Sequence, residues 1–290
     1  MRKTLLILLL CFPSASPAQT ADPTARCKDL VITQMDAARN RTRPFRLDLQ
    51  GRTGAPLLYF GVRHSFDPAD TQWPAMTAAW DSLRPTIAFY EGPVGGVSDS
   101  ADAAVRDSGE PGLLRYLARK SGIPARSLEP SRAAEVERLL GQLQPDQLVM
   151  FFALRIVNEE RTRMHVSGPA LDTAFAQALA DTHRRAPQLA GALPDTTALR
   201  AAFPRTLPDV DPIFAPDRWF DPNHTSAETG SVFFNDVNRA SSMFRDEYMY
   251  EQLAAALQVP GARVFAEVGR DHIPAQAAAL RCALGIGAGE

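Results

Sequence analysis

The chain has 290 residues, with 31 Lys and Arg against 33 Asp and Glu and a formal net charge of -2. Hydrophobic residues make up 45% of it, enough for a substantial core, which excludes a globally disordered chain. The charges are interspersed without the basic excess of a nucleic-acid binder, and there is no zinc-ribbon spacing, Walker A loop or G-x-G-x-x-G segment.

At the N-terminus Arg2 and Lys3 precede the apolar run "TLLILLLCF", too short to span a bilayer, and "PSASPAQ" follows with Ser16 and Ala18 as the small residues of a cleavage site. The pattern predicts a secretory signal peptide over residues 1–18, cleaved near Ala18. The mature chain, 19–290, would then lie in the secreted or periplasmic space with no transmembrane segment. Cys11 leaves with the signal, and Leu10 is too bulky to precede a lipidated cysteine. The remaining pair, Cys27 and Cys282, predicts a disulfide tying the mature N-terminus to the last helix.

"FRLDLQGRTGAPLLYFGVRH" reads as a hairpin, two extended runs around a Gly-Arg-Thr-Gly turn. "WPAMTAAWDSLRP" is a helix that stops before Pro85, and "TIAFYEGP" a buried strand broken by Gly-Pro. "ADAAVRDSGEPGLLRYLARKSG" is helical with an interruption at Pro111-Gly112, and "IPARSLEP" a short strand. The period then becomes helical. "SRAAEVERLLGQL", "PDQLVMFFALRIVNEERTRMHV" and "PALDTAFAQALADTHRR" follow, with Pro145 and Pro169 near helix starts, where a missing N–H costs little. Residues 187–227, rich in Pro, Asp and Thr, read as a long loop or lid with at most short turns. "TSAETGSVFFNDVNRASSMFRDEYMYEQLAAALQ" is a long helix with a break near Gly230, "ARVFAEVGRDH" the last strand and "PAQAAALRCALG" the closing helix. The order predicts one α/β domain over 19–290. A mixed central sheet is flanked by helices, a helical insertion and Pro-rich lid occupy about 131–227, and the matching ends allow two related halves.

Those ends carry the chemistry. "LLYFGVRHSF" and "VFAEVGRDHI" each run apolar into Gly-x-x-His. In an open α/β sheet, ligands sit beyond the carboxyl ends of the strands. Gly61 and Gly269 would permit a sharp turn or close approach there, and His64 and His272 would project into one crevice. Glu91 ends its strand in "FYEGP" as an acid, base or metal ligand. Glu129 in "SLEP" has the same shape, and of the two Glu91, on the more buried strand, is favoured, Glu129 reading as a solvated loop acid. Asp67, three residues after His64, is placed to orient its imidazole. On the long helix Asn235 and Asn238 read as a solvent face. Arg245, followed by Asp246 in "RDEYM", would bring a guanidinium to the imidazoles to stabilise an oxyanion or hold an anionic group. His165 and His183 read as surface residues, and His224 reaches a site only if its loop is a lid. Asn40-Arg41-Thr42 and Asn223-His224-Thr225 fit a glycosylation sequon.

"GVRH", "FYEGP", "RDEYM" and "GRDH", in that order, resemble the TraB/PrgY/GumN family, related to the Tiki metalloproteases, the erythromycin esterases and the ChaN-like haem-binding proteins. The resemblance spans roughly residues 45–285 and rests on these four islands. It implies a site of His64, Glu91, Arg245 and His272, with Gly61 and Gly269 as backbone elements and Asp67 and Asp246 in support. "SFDP" after the first motif and "EGP" and "RSLEP" depart from the Tiki pattern. Three functions remain open. In the first, a metal-free hydrolase has a histidine take a proton from water that attacks an ester, lactone or amide carbonyl of a small molecule or peptide. In the second, a metallohydrolase holds Mn, Co or Zn through His64, Glu91 and His272. In the third, a binding protein takes haem or another small ligand. No G-x-S-x-G elbow supplies a nucleophile.

Overall fold

The computed structural model describes residues 23–39, 45–51, 54–207 and 210–286. The segment expected to be a signal peptide, its expected cleavage site and the Asn40 sequon lie outside the described residues. Two short helices, α1 (Pro23–Cys27) and α2 (Gln34–Arg39), lead into the strands β1 (Arg46–Gln50) and β2 (Pro56–Val62). Then come α3 (Gln72–Leu83), β3 (Ile87–Tyr90), α4 (Ala101–Ser121), β4 (Ala125–Ser127), α5 (Arg132–Leu139), α6 (Pro145–Thr162) and α7 (Pro169–Arg185). The chain closes with α8 (Thr196–Thr206), α9 (Ser226–Thr229), α10 (Phe234–Leu257), β5 (Val264–Gly269) and α11 (His272–Ala283). The protein is α/β, as its pattern of elements predicts.

The sheet runs β1-β2-β5-β3-β4. β1 and β2 form the antiparallel hairpin, with Leu47 opposite Tyr59. β2, β5, β3 and β4 are mutually parallel. The last strand in sequence thus occupies the middle of the sheet, which is why Val264 through Val268 are all buried. A strand covered on both faces needs a continuous apolar run, and "VFAEV" supplies one apart from Glu267. One face packs on α10 and α11 through Val264, Ala266, Tyr250 and Leu280. The other packs on α3 and α4 through Phe265, Trp80 and Leu114. Helices α5 to α8 gather around a core of their own, with Phe151, Phe175, Phe203 and Phe234 at its centre.

Three expectations are corrected. The 187–227 stretch is more than turns: α8 is an eleven-residue helix capped by Asp195, whose carboxylate accepts the Ala198 N–H at 2.8 Å. Leu199, Ala202 and Phe203 form its buried stripe, and Pro204 lies inside it near the C-terminal end. The segment also carries short 3-10 turns at Pro187–Leu189, Pro212–Phe214 and Asp217–Phe220. Asn235 and Asn238 are buried rather than solvated, at 0% and 2% exposure. Their side-chain N–H groups donate to the carbonyls of Arg218 and Asp221 (2.7 and 2.9 Å) and of Phe220, so a polar seam beside the apolar one binds the loop instead of facing water. The loop is therefore lashed to α10. The break in α4 falls at Gly109, whose φ of 60° a side chain would resist. The break near Gly230 is there, with φ 73°, separating α9 from α10.

Cys27 and Cys282 are joined, their Cα atoms 5.7 Å apart across a sequence separation of 255. No helix among the described residues is long and apolar enough to cross a membrane.

Candidate active site

Each of the four parallel strands delivers one titratable side chain just past its carboxyl end: His64 after β2, Glu91 after β3, Glu129 after β4 and His272 after β5. α10 crosses beside these ends with Arg245 and Asp246. The glycines explain how the groups come so close. A methyl group on Gly61 would lie 2.5 Å from the Phe45 carbonyl oxygen and 2.9 Å from the Arg270 Cα, so only glycine fits where β2 meets β5. A methyl group on Gly269 would sit 3.1 Å from Glu91 Oε2, 3.6 Å from His64 Nε2 and 3.7 Å from His272 Cδ2. The two imidazoles and the carboxylate thus converge on the space that the missing side chain leaves open.

His272 is buried and held on both ring nitrogens. Its Nδ1 lies 2.8 Å from Asp246 Oδ1 and its Nε2 3.3 Å from Glu91 Oε1. Burial disfavours its charged form, but the Asp246 and Glu91 carboxylates outweigh that and hold the imidazole up at about 10. It is an imidazolium at neutral pH. Asp246, fully buried, also accepts Gln276 Nε2 at 2.6 Å and Gln34 Nε2 at 3.3 Å. Burial alone would raise Glu91, yet His272, Arg245 and His64 around it pull its pKa well below the usual carboxylate range. Its Oε1 accepts Arg245 Nη2 at 2.6 Å and its Oε2 the Gly269 N–H at 2.6 Å. Arg245 also holds Glu129, through Nε at 3.0 Å and through Nη2. Burial works against the guanidinium, but Glu129 and Glu91 keep it firmly charged.

His64 is different. Its side chain is 48% exposed, and its Nδ1 meets Glu110 Oε1 at the kink of α4. That hydrogen bond raises its pKa, against partial burial. Behind Glu110, Glu267 is fully buried with neither carboxyl oxygen bonded. Burial, then the nearby charges of Glu110 and Glu91, push its pKa well up.

The structure therefore brings His64, Glu91, Arg245, His272, Asp246, Gly61 and Gly269 together, and it redirects two residues. Asp67 does not orient His64: its Oδ1 accepts the Ala69 N–H at 2.9 Å in its own turn, and Glu110 has the imidazole instead. Glu129 is not a solvated loop acid but half of the Arg245 clamp. Glu110, Gln34 and Gln276 are the additions. Glu110 sits in "SGEPG", where Gly and Pro on both sides of an acid in a helical run are the one local signal of a special position. His224 stays with its loop acids, Asp221 at 3.8 Å and Glu228 at 4.0 Å.

The site floors a cleft of about 500 Å³, whose far wall is the C-terminal part of α6 and the 217–223 loop. No family model, curated protein or solved structure matches the chain at a significant level.

His64, Glu91 and His272 are not arranged here as the donor set of a divalent ion. His272 directs its two ring nitrogens at the Asp246 and Glu91 carboxylates. The two Glu91 oxygens accept from the Arg245 guanidinium and from the Gly269 N–H. No group of three or more His, Cys, Asp or Glu among the described residues is arranged to hold an ion.

Proposed function

We propose that the protein is an exported hydrolase that adds water to an ester, lactone or amide carbonyl without a resident metal. The observation that carries this reading is the pair of carboxylate–imidazole dyads facing one space at Gly269, one half-exposed and one buried and charged. Glu110 holds the Nδ1–H of neutral His64, which leaves the Nε2 lone pair toward the cleft. His64 Nε2 takes a proton from water as the water oxygen bonds to the acyl carbon. Negative charge moves to the carbonyl oxygen, where the His272 imidazolium offers Nε2–H, its 3.3 Å contact with Glu91 being long enough to yield. His64 then returns its proton to the leaving oxygen or nitrogen as the acyl bond breaks. Arg245 spans Glu91 and Glu129 and so keeps Glu91 in place beside His272, a positioning part rather than the oxyanion clamp expected from "RDEYM". The resemblance of the four islands to the TraB/PrgY/GumN group and its esterase relatives agrees with this chemistry, and the disulfide agrees with an oxidising compartment.

The test is turnover of a panel of esters, lactones and amides by the mature protein, with and without a strong chelator. Turnover should survive chelation and fall by about 10²–10⁴ in His64→Ala. Full turnover in both His64→Ala and His272→Ala would remove the site; loss of all turnover on chelation would restore the metal-dependent reading.

A further inference from the structure

The cleft wall is almost wholly polar: among the described residues that line it, Val62, Phe220 and Pro222 are the apolar side chains. Two of its amides are turned the same way. Gln34, 8% exposed, gives its N–H to the Asp246 carboxylate, which can only accept, at 3.3 Å, and the same nitrogen lies 3.1 Å from His272 Nδ1. Asn238, 2% exposed, gives its N–H to the Phe220 carbonyl, which also can only accept. Each amide oxygen is therefore the free end, and neither has a donor among the described residues. Asn223, on the loop opposite, also lines the cleft, its own Oδ1 enclosed and unbonded. Acceptors are costly to close off unmatched, so a wall carrying two of them suits a ligand that donates. The same wall also offers donors: the Ser242 hydroxyl, 5% exposed, and the guanidinium of Arg163, which has no ion-pair partner among the described residues.

Resting on the carbonyl-hydrolase reading, we propose that the substrate is an acylated carbohydrate, with the sugar bound in this cleft. A sugar hydroxyl donates and accepts on one atom, which matches a wall of acceptors beside donors. An extended peptide is a poorer match: it docks by adding to a strand edge, whereas this cleft opens at strand ends and offers few apolar seats for side chains. In the reaction water oxygen bonds to the acyl carbon, the bond from that carbon to the sugar oxygen breaks, and the sugar oxygen takes the proton held by His64. A free sugar hydroxyl and a carboxylic acid result.

The experiment compares kcat/KM for 6-O-acetylglucose, acetylated xylobiose, ethyl acetate and an acetylated dipeptide ethyl ester, each divided by its rate of alkaline hydrolysis. The sugar esters should lead by roughly a hundredfold, and Asn223→Ala should cut that lead about tenfold, the worth of one hydrogen bond. Equal normalised rates, or a lead for the peptide ester, would overturn the sugar assignment while leaving carbonyl hydrolysis intact. If no ester turns over, the hydrolase reading fails, and saturation-transfer NMR with cellobiose, xylobiose and mannobiose decides the sugar site by itself. Transfer that is lost in Gln34→Ala and Asn223→Ala upholds it; no transfer to any of the three overturns it.

Discussion

His64 and His272 follow the same Gly-x-x spacing, yet their surroundings give them different work. His272 has a carboxylate on each side and stays charged; His64 has one carboxylate and an open face. A base must be neutral to act, so kcat/KM should rise with pH through the raised pKa of His64. Glu110 is the main cause of that rise. In Glu110→Gln the acid limb of the pH–rate profile should therefore move to lower pH, and the plateau should fall about 10- to 100-fold as the imidazole loses its orienting partner. A limb that stays in place would mean that another group sets it. The histidines were legible because each ends an apolar run at a glycine. Glu110 was not, because an acid in a helical segment reads as solvated until the kink at Gly109 and the packing of α4 on the sheet turn it inward. Asp67 drew attention by nearness in sequence, and nearness in sequence is a poor guide where a turn satisfies its own polar groups.

At the scale of elements, the joint between α10 and the 217–223 loop decides what the cleft is. Asn235 makes four side-chain hydrogen bonds: it donates to the carbonyls of Arg218 and Asp221 and accepts from Thr229 Oγ1 and Ser231 Oγ at 2.5 and 2.7 Å. Asn235→Ala would leave buried carbonyls without donors, at a cost of about 1–3 kcal/mol. Chemical denaturation should show that loss, and hydrogen exchange should speed up in residues 218–223 more than in the sheet. An unchanged stability would mean that the loop is held elsewhere. The strands, the hairpin and most helices were readable from period and punctuation. The 187–227 stretch was misread because its Pro content masked the Asp195 cap and the Leu199, Ala202, Phe203 stripe of α8. Asn235 and Asn238 were misread because a polar residue on a helix looks the same whether water or a carbonyl satisfies it.

Over the whole molecule, the disulfide closes the chain from Cys27 to Cys282 into one loop, and with it pins α1 and α2 against α10 and α11. Ile32 N–H donates to the Ala275 carbonyl at 3.0 Å, and Lys28 bridges Glu247 and Glu251. Replacing both cysteines by serine should cost up to about 5 kcal/mol by loop entropy, read as a lower melting temperature. Because Gln34 reaches the site from this segment, turnover should become more heat-sensitive as well; a melting temperature within a degree of the parent would show that noncovalent packing alone holds the segment. By itself the sequence determined the α/β class, the cysteine pair and the strand-ending His64, Glu91 and His272, because apolar period and glycine punctuation are local properties. Only the tertiary structure decided that β5 inserts between β2 and β3, that Glu110, Glu129 and Gln34 join the site, and that the favoured acid Glu91 is clamped by Arg245. Those outcomes depend on which distant segments share the burial of a charge, and the energy of a buried charge is set by the partners that folding brings to it.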